Sequence, residues 1–239
     1  MSHLKPIAIL RAGSTFAELK NTHGDFDQWI AKGLGDYPVI SSNVIAGEAL
    51  PDATELSGAV ITGSHAMVTD REAWSEGLAE WIRAAHVKEL PLLGICYGHQ
   101  LIAHALGGRV DYRAQGIELG THRVTKTEFA QGDILLGDLP LNFDGHLVHS
   151  QSVIKLPPGA RLLAASEKEP HQCYRVGRAT WGVQFHPEFD EEVMGFYIAE
   201  IRKTHNLTES QEIGNVRKTH VAAKILERFA EVAENSAAQ

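Results

Sequence analysis

Cys96 stands in Gly94-Ile95-Cys96-Tyr97-Gly98, directly after the apolar run Leu90-Pro91-Leu92-Leu93. A packing cysteine needs no glycine two places before it and another two places after. A reactive one does. Where a buried strand turns sharply into a helix, the residue at the turn is presented at the tip. Strand and helix then pass so closely that side chains two places either side would collide. The same turn puts the thiol at a helix N-terminus, where free N–H groups and the positive end of the dipole favour a thiolate and can hold an oxyanion. An inert core cysteine is the alternative, and it leaves both glycines unexplained.

A cysteine nucleophile wants a base. The chain offers 13 histidines, and the stretch Trp181-Gly182-Val183-Gln184-Phe185-His186-Pro187-Glu188 stands out among them. Trp181, Val183 and Phe185 alternate onto one face of a strand; Gly182, Gln184 and His186 take the other. Pro187 keeps His186 extended and ends the strand. Glu188 can return to accept a hydrogen bond from the imidazole and set its tautomer. A His-Pro-Glu surface turn is the alternative for this segment alone. An oxyanion would need two donors: the backbone N–H of Tyr97, and one from a neighbouring strand end, where Thr62-Gly63-Ser64 supplies a glycine. Gly63 reads equally as a plain turn glycine.

The elements that must position these residues follow from periodicity. Residues 6–10, 57–64 and 90–95 read as buried strands. The pattern over 71–90 is an amphipathic helix, with Trp74, Leu78, Trp81, Ile82 and Ala85 on one face. Residues 25–34 carry a fainter helical pattern, and 99–106 form a helix stopped by Gly107-Gly108. This order predicts an α/β fold: a mostly parallel open sheet with helices on both faces. From about 108 onward, short β-like segments at 117–125, 143–149, 160–166, 171–176 and 179–185 predict a small antiparallel extension. Asp190 is placed to cap a helix through Val193, Phe196, Tyr197 and Ile201, and 221–234 reads as another helix after a polar stretch at 205–219. Residues 1–190 are expected to form the working domain, with 191–239 as a C-terminal helical extension of it.

The 239 residues are 44% hydrophobic and 22% charged, with a net charge of −8. Lys and Arg are scattered, so no nucleic-acid surface is expected. Two cysteines make no disulfide framework, and no apolar run nears the roughly 20 residues that span a bilayer. A soluble cytoplasmic protein without a signal peptide is the expectation. Cys173 reads as structural. His65 and His99 flank the proposed site; Asp70, Arg71 and Trp74 either shape its mouth or, for Asp70, cap a helix.

Together, GICYGHQ, GVQFHPE and ITGSH resemble the class I glutamine amidotransferases of the triad type. The motifs occur in that family's order, with Cys96 and His186 separated by 90 residues (186 − 96). The resemblance covers about residues 6–190 and is greatest to the glutaminase domain of GMP synthases and their stand-alone relatives. It implies Cys96 as nucleophile, His186 as base and Glu188 as orienting residue, with Gly63 and Tyr97 forming the oxyanion hole. Gln100, His149, Ser150 and Gln151 would hold the substrate, glutamine or a γ-glutamyl compound. No metal or organic cofactor is implied. Gln151 departs from the acidic residue usual at its position. No phosphate-binding loop follows residue 190, so the chain is not expected to be a complete GMP synthase; ammonia would pass to a separate synthase subunit. Two other functions remain open. One is a γ-glutamyl peptidase or hydrolase. The other is a non-catalytic binding subunit that keeps the fold.

Overall fold

Alternation along the first strand already separates two layers. Ile7 and Ile9 join one apolar cluster, Ala8 and Leu10 another on the opposite face, and all four are buried. The structure, a computed structural model, describes residues 4–204 and 215–237. Their order is β1 (Ile7–Arg11), α1 (Ala17–His23), α2 (Phe26–Gly33), β2 (Val39–Asn43), β3 (Gly58–Ile61), α3 (Ala73–Val87), β4 (Leu92–Ile95) and α4 (Tyr97–Ala105). Then come β5 (Arg109–Tyr112), β6 (Glu118–Lys126), β7 (Asn142–His149), β8 (Gln151–Lys155), β9 (Arg161–Ala165), β10 (Cys173–Val176), β11 (Thr180–Val183), α5 (Glu191–Thr204) and α6 (His220–Ala237).

The main sheet runs β2-β1-β3-β4-β11-β10-β9-β6-β7. Its first five strands are parallel; from β11 onward the pairs are antiparallel. β5 and β8 form a separate antiparallel pair. The expected architecture of parallel sheet, antiparallel extension and C-terminal helices is therefore present.

Helices cover both faces. α2 and α6 bury Ile30, Leu34, Ile225, Leu226 and Phe229 against Ile7, Ile9, Val60 and Leu93. On the other face, α3 and α4 bury Leu78, Ile82, Leu101 and Ile102 against Ala8, Leu10, Ala59 and Ile61. Strands enclosed this way read as continuous apolar runs, which is why β1, β3 and β4 are visible in sequence. A third cluster seats α5 through Val193, Met194, Tyr197 and Ile201 on Leu19, Phe26, Leu119 and Phe189.

Local signals set several ends. Asp25 and Gln28 form a reciprocal capping box that starts α2. Asp190 Oδ1 accepts the Val193 N–H at 2.9 Å and so caps α5, as expected. α3 begins later than its sequence pattern suggests: Asp70 lies in a preceding 3-10 turn, and the N-cap is Glu72. Asp70 therefore does not cap this helix. Part of the polar stretch at 205–219, residues 205–214, lies outside the described residues.

Candidate active site

The carboxyl ends of β3, β4 and β11 converge, as expected for sites in open parallel sheets. Cys96 directly follows β4 and is the N-cap of α4, with φ 50° and ψ −98°. A positive φ is uncommon for a non-glycine residue and marks strain at the turn. Two glycines permit the turn. A β-carbon on Gly94 would lie 2.4 Å from both C and O of Gly98, and one on Gly98 would lie 2.4 Å from Ile61 O. The Cys96 N–H bonds Val183 O at 2.9 Å, which ties the turn to β11.

α4 takes up its own bonding with Gln100 N–H on Cys96 O at 3.1 Å. The first-turn amides, Tyr97 among them, have no intrahelical partner. Tyr97 turns its side chain away: its hydroxyl lies 2.6 Å from Ser75 Oγ, and its ring stacks on Trp74. Burial, which outweighs the Ser75 bond, pushes that phenol up to about 12. Only the Tyr97 backbone is therefore available to the site.

His186 Nδ1 donates to Glu188 Oε1 at 2.8 Å, between side chains only 2% and 0% exposed. The ring is stacked on Phe189 with centroids 4.1 Å apart, and His186 N–H bonds His146 O at 2.8 Å. Gly63 approaches from the other strand; a β-carbon there would stand 3.1 Å from His186 Cε1. Nε2 has no hydrogen-bond partner at normal distance among the described residues. The Cys96 sulfur is close enough to act on it electrostatically. Burial alone would lower the His186 pKa. The Glu188 carboxylate, and then Cys96, outweigh it and raise it to about 10.

That shift predicts a pH effect. A folded-state value raised above 6.5 means the pair stabilises the fold fully below pH 6.5 and loses this as pH rises toward 10. The urea midpoint of the wild type falls over that window more steeply than that of Glu188→Gln. Equal slopes would exclude the His186–Glu188 pair as the cause.

Cys96 lines a cavity of ≈ 290 Å³ together with Tyr97, Gln100, His149, Ser150 and Gln151. The expected substrate-holding residues are thus in one pocket with the cysteine, whereas His186 and Glu188 sit behind it. The Sγ–H points to Val148 O at 3.6 Å. Gln100 Nε2 donates to Gln151 O at 2.8 Å and to Gln184 Oε1 at 3.0 Å. Gln151 Nε2 donates to Thr69 Oγ1 at 2.6 Å. Both ring nitrogens of His149 are taken by protein atoms, Gln151 O at 2.8 Å and Glu118 Oε2 at 3.0 Å.

Apart from Val148, which adjoins His149, the sequence did not point to the apolar wall of this pocket, Phe16, Met67, Ile117 and Ile201. These residues come from separate segments with no shared spacing. Phe189 was within reach, one residue past the His-Pro-Glu segment. Of the other flanking residues, His65 lines the pocket, whereas His99 is fully buried against Tyr174 and burial pushes its imidazole down to about 3. Arg71 turns to His104 and Glu76. Cys173 is wholly buried, and burial drives its thiol well above the ordinary value.

The sequence profile of glutamine amidotransferase class-I matches residues 22–201. The chain belongs to that family. Among family relatives, a glutamine-hydrolysing GMP synthase of Porphyromonas gingivalis is 36% identical over 138 residues, 57% of this chain and 26% of that protein. The chain thus spans about a quarter of that relative's length. Gamma-glutamyl peptidase 5 of Arabidopsis thaliana is 30% identical over 156 residues, 63% of this chain and 62% of that one. The crystal structure of a glutamine amidotransferase from Thermotoga maritima superposes with a TM-score of 0.74 over 97% of this chain and 99% of that one, at 22% identity, which speaks for the fold alone. No helix among the described residues is long and apolar enough to cross a membrane.

Proposed function

We propose that the protein hydrolyses the side-chain amide of glutamine through a γ-glutamyl thioester on Cys96. The observation that carries this is Cys96 at positive φ on the N-terminus of α4, lining a pocket with His186–Glu188 directly behind it. The thiolate adds to the carboxamide carbon, and the oxyanion rests on the backbone N–H groups of Gly63 and Tyr97. Imidazolium His186 gives its Nε2 proton to the amide nitrogen, the C–N bond breaks and ammonia leaves. Neutral His186 then takes a proton from water, whose oxygen attacks the thioester carbon. The C–S bond breaks, glutamate departs, and the thiolate–imidazolium pair is restored. Glu188 keeps Nε2 aimed at the sulfur. No step calls for a metal or organic cofactor. Ammonia passes to an acceptor on a synthase partner, in a reducing cytoplasmic setting. α5 and α6 are read as an extension of the same domain as the residues before them, a reading supported by Ile201 of α5 in the pocket and the apolar side chains of α6 in the core.

A γ-glutamyl peptidase is the second reading. The apolar wall favours it, because ammonia needs no apolar contact as a leaving group whereas an amino-acid amine gains from one. The relative named a γ-glutamyl peptidase adds support. Purified protein is assayed for ammonia release from glutamine and for amino-acid release from γ-glutamyl dipeptides. A higher kcat/KM on glutamine supports the first reading, and the reverse supports the second. No turnover of either overturns both.

A further inference from the structure

Behind the pocket wall lies a buried charged cluster that the proposed reaction does not use. Arg113 follows β5, Glu118 opens β6, His149 ends β7 and Glu169 precedes β10. Their side chains are 3%, 2%, 1% and 1% exposed. Arg113 Nη1 lies 3.1 Å from Glu118 Oε2 and 2.8 Å from Glu169 Oε2, and Ser152 Oγ also donates to Glu169 Oε2. Donor atoms of Glu118, His149 and Glu169 lie within 4.8 Å of one another, close enough for a metal ion. The guanidinium of Arg113 already stands between the two carboxylates, so the cluster is an ion network whose cation is supplied by the chain.

Two independent counts bear on His149. The first is charge. A buried charge left without a partner is strongly destabilising. Two carboxylates face one guanidinium here, and balance needs one more positive charge. The second is protons. His149 Nδ1 is 2.8 Å from a carbonyl oxygen and Nε2 is 3.0 Å from a carboxylate oxygen. A carbonyl and an ionised carboxylate only accept, while neutral imidazole has a single N–H. The guanidinium of Arg113, 3.1 Å from Glu118 Oε2, favours the ionised carboxylate, so Glu118 is an acceptor. Other titratable groups facing the cluster are His122, 3.9 Å from Glu118 Oε1, with His171, whose backbone N–H bonds Glu169 Oε1, and His99.

We propose that His149 carries protons on both ring nitrogens and that Glu118, acting through it, is a positioning residue for the pocket wall at 148–151. Gln151 O receives His149 Nδ1–H from one side and Gln100 Nε2–H from the other, and Gln100 sits on the helix that Cys96 begins. Val148 O, at the same wall, meets the Cys96 thiol. The ion network thus sets the surface against which the sulfur and a bound γ-glutamyl group rest. His149 keeps no nitrogen for the substrate; its part is to hold that carbonyl.

The test uses the full chain with isotope-labelled histidine rings at neutral pH. The His149 signals, assigned by their loss in His149→Gln, show two protonated ring nitrogens in the wild type and one in Glu118→Gln. An unprotonated ring nitrogen on wild-type His149 overturns the charge assignment. Amide exchange at 148–152 in Glu118→Gln speeds up on the order of tenfold, the loss of one charge-assisted bond, with β1, β3 and β4 unchanged. Exchange that is unchanged at the wall, or faster everywhere, overturns the positioning role. The kinetic consequence rests on the proposed function: KM rises on the order of tenfold with a smaller fall in kcat, and Glu118→Asp recovers part of it. Absence of wild-type turnover would sink that function, while the ring and exchange signals still decide this inference.

Discussion

Cys96→Ala abolishes turnover and labelling by a glutamine-mimicking electrophile, while the protein keeps its fold. The expected fall in kcat is on the order of 10⁶, the scale lost when the nucleophile of a catalytic triad is removed. The fold survives because the sulfur's hydrogen bond is weak, 3.6 Å to Val148 O, and alanine inherits the same backbone at φ 50°. The residual rate over water would come from binding and from the N–H groups of Gly63 and Tyr97, which the substitution leaves alone. The measurement is intact mass after incubation with the electrophile, beside a steady-state assay. Stoichiometric labelling of the variant would mean that another group is the nucleophile. A wild type that neither labels nor turns over would instead favour the non-catalytic binding subunit.

Gly94→Ala breaks the site through the backbone. Its β-carbon would stand 2.4 Å from Gly98 C and O and 2.7 Å from His99 N. None of these atoms can rotate away, so β4 and α4 must move apart. Overpacking of this kind costs about 3 kcal/mol. Cys96 lies between the two elements and moves with them, and a displacement near an ångström costs about 100-fold in rate. Gly195→Ala is the control, since a β-carbon at this position in α5 meets nothing within 4 Å. That change should stabilise the helix by about 0.5–1 kcal/mol. Urea denaturation and kcat/KM on both variants decide the matter. A Gly94→Ala protein as stable and active as the wild type would show that the turn does not need its glycines.

Much of the parallel half of the fold was legible because its signals are local. β1, β3 and β4 are enclosed on both faces and so read as unbroken apolar runs. Elements with little to bury were silent. β2 is an edge strand with its first three residues exposed, and α1 buries only Leu19, so neither carries a period. β8 begins at Gln151, which was noticed with His149 and Ser150 for its chemistry rather than as a strand, and it pairs only with short β5. Asp70 read as a possible cap because the residues that unwind the chain into a 3-10 turn before α3 leave no pattern.

The turn at Cys96 and the hydrogen-bonded pair His186–Glu188 could be read from the residues alone. Each is signalled by residues within two places of Cys96 or of His186, through steric fit in the first and the reach of one side chain in the second. The folded chain lays β4 and β11 side by side, which brings those two local devices together at one pocket though 90 residues separate them (186 − 96). It alone assembled Arg113, Glu118, His149 and Glu169, because four chain segments must fold together before their charges can cancel. No spacing in a linear sequence encodes that cancellation: a charge becomes costly only once water has been removed from around it.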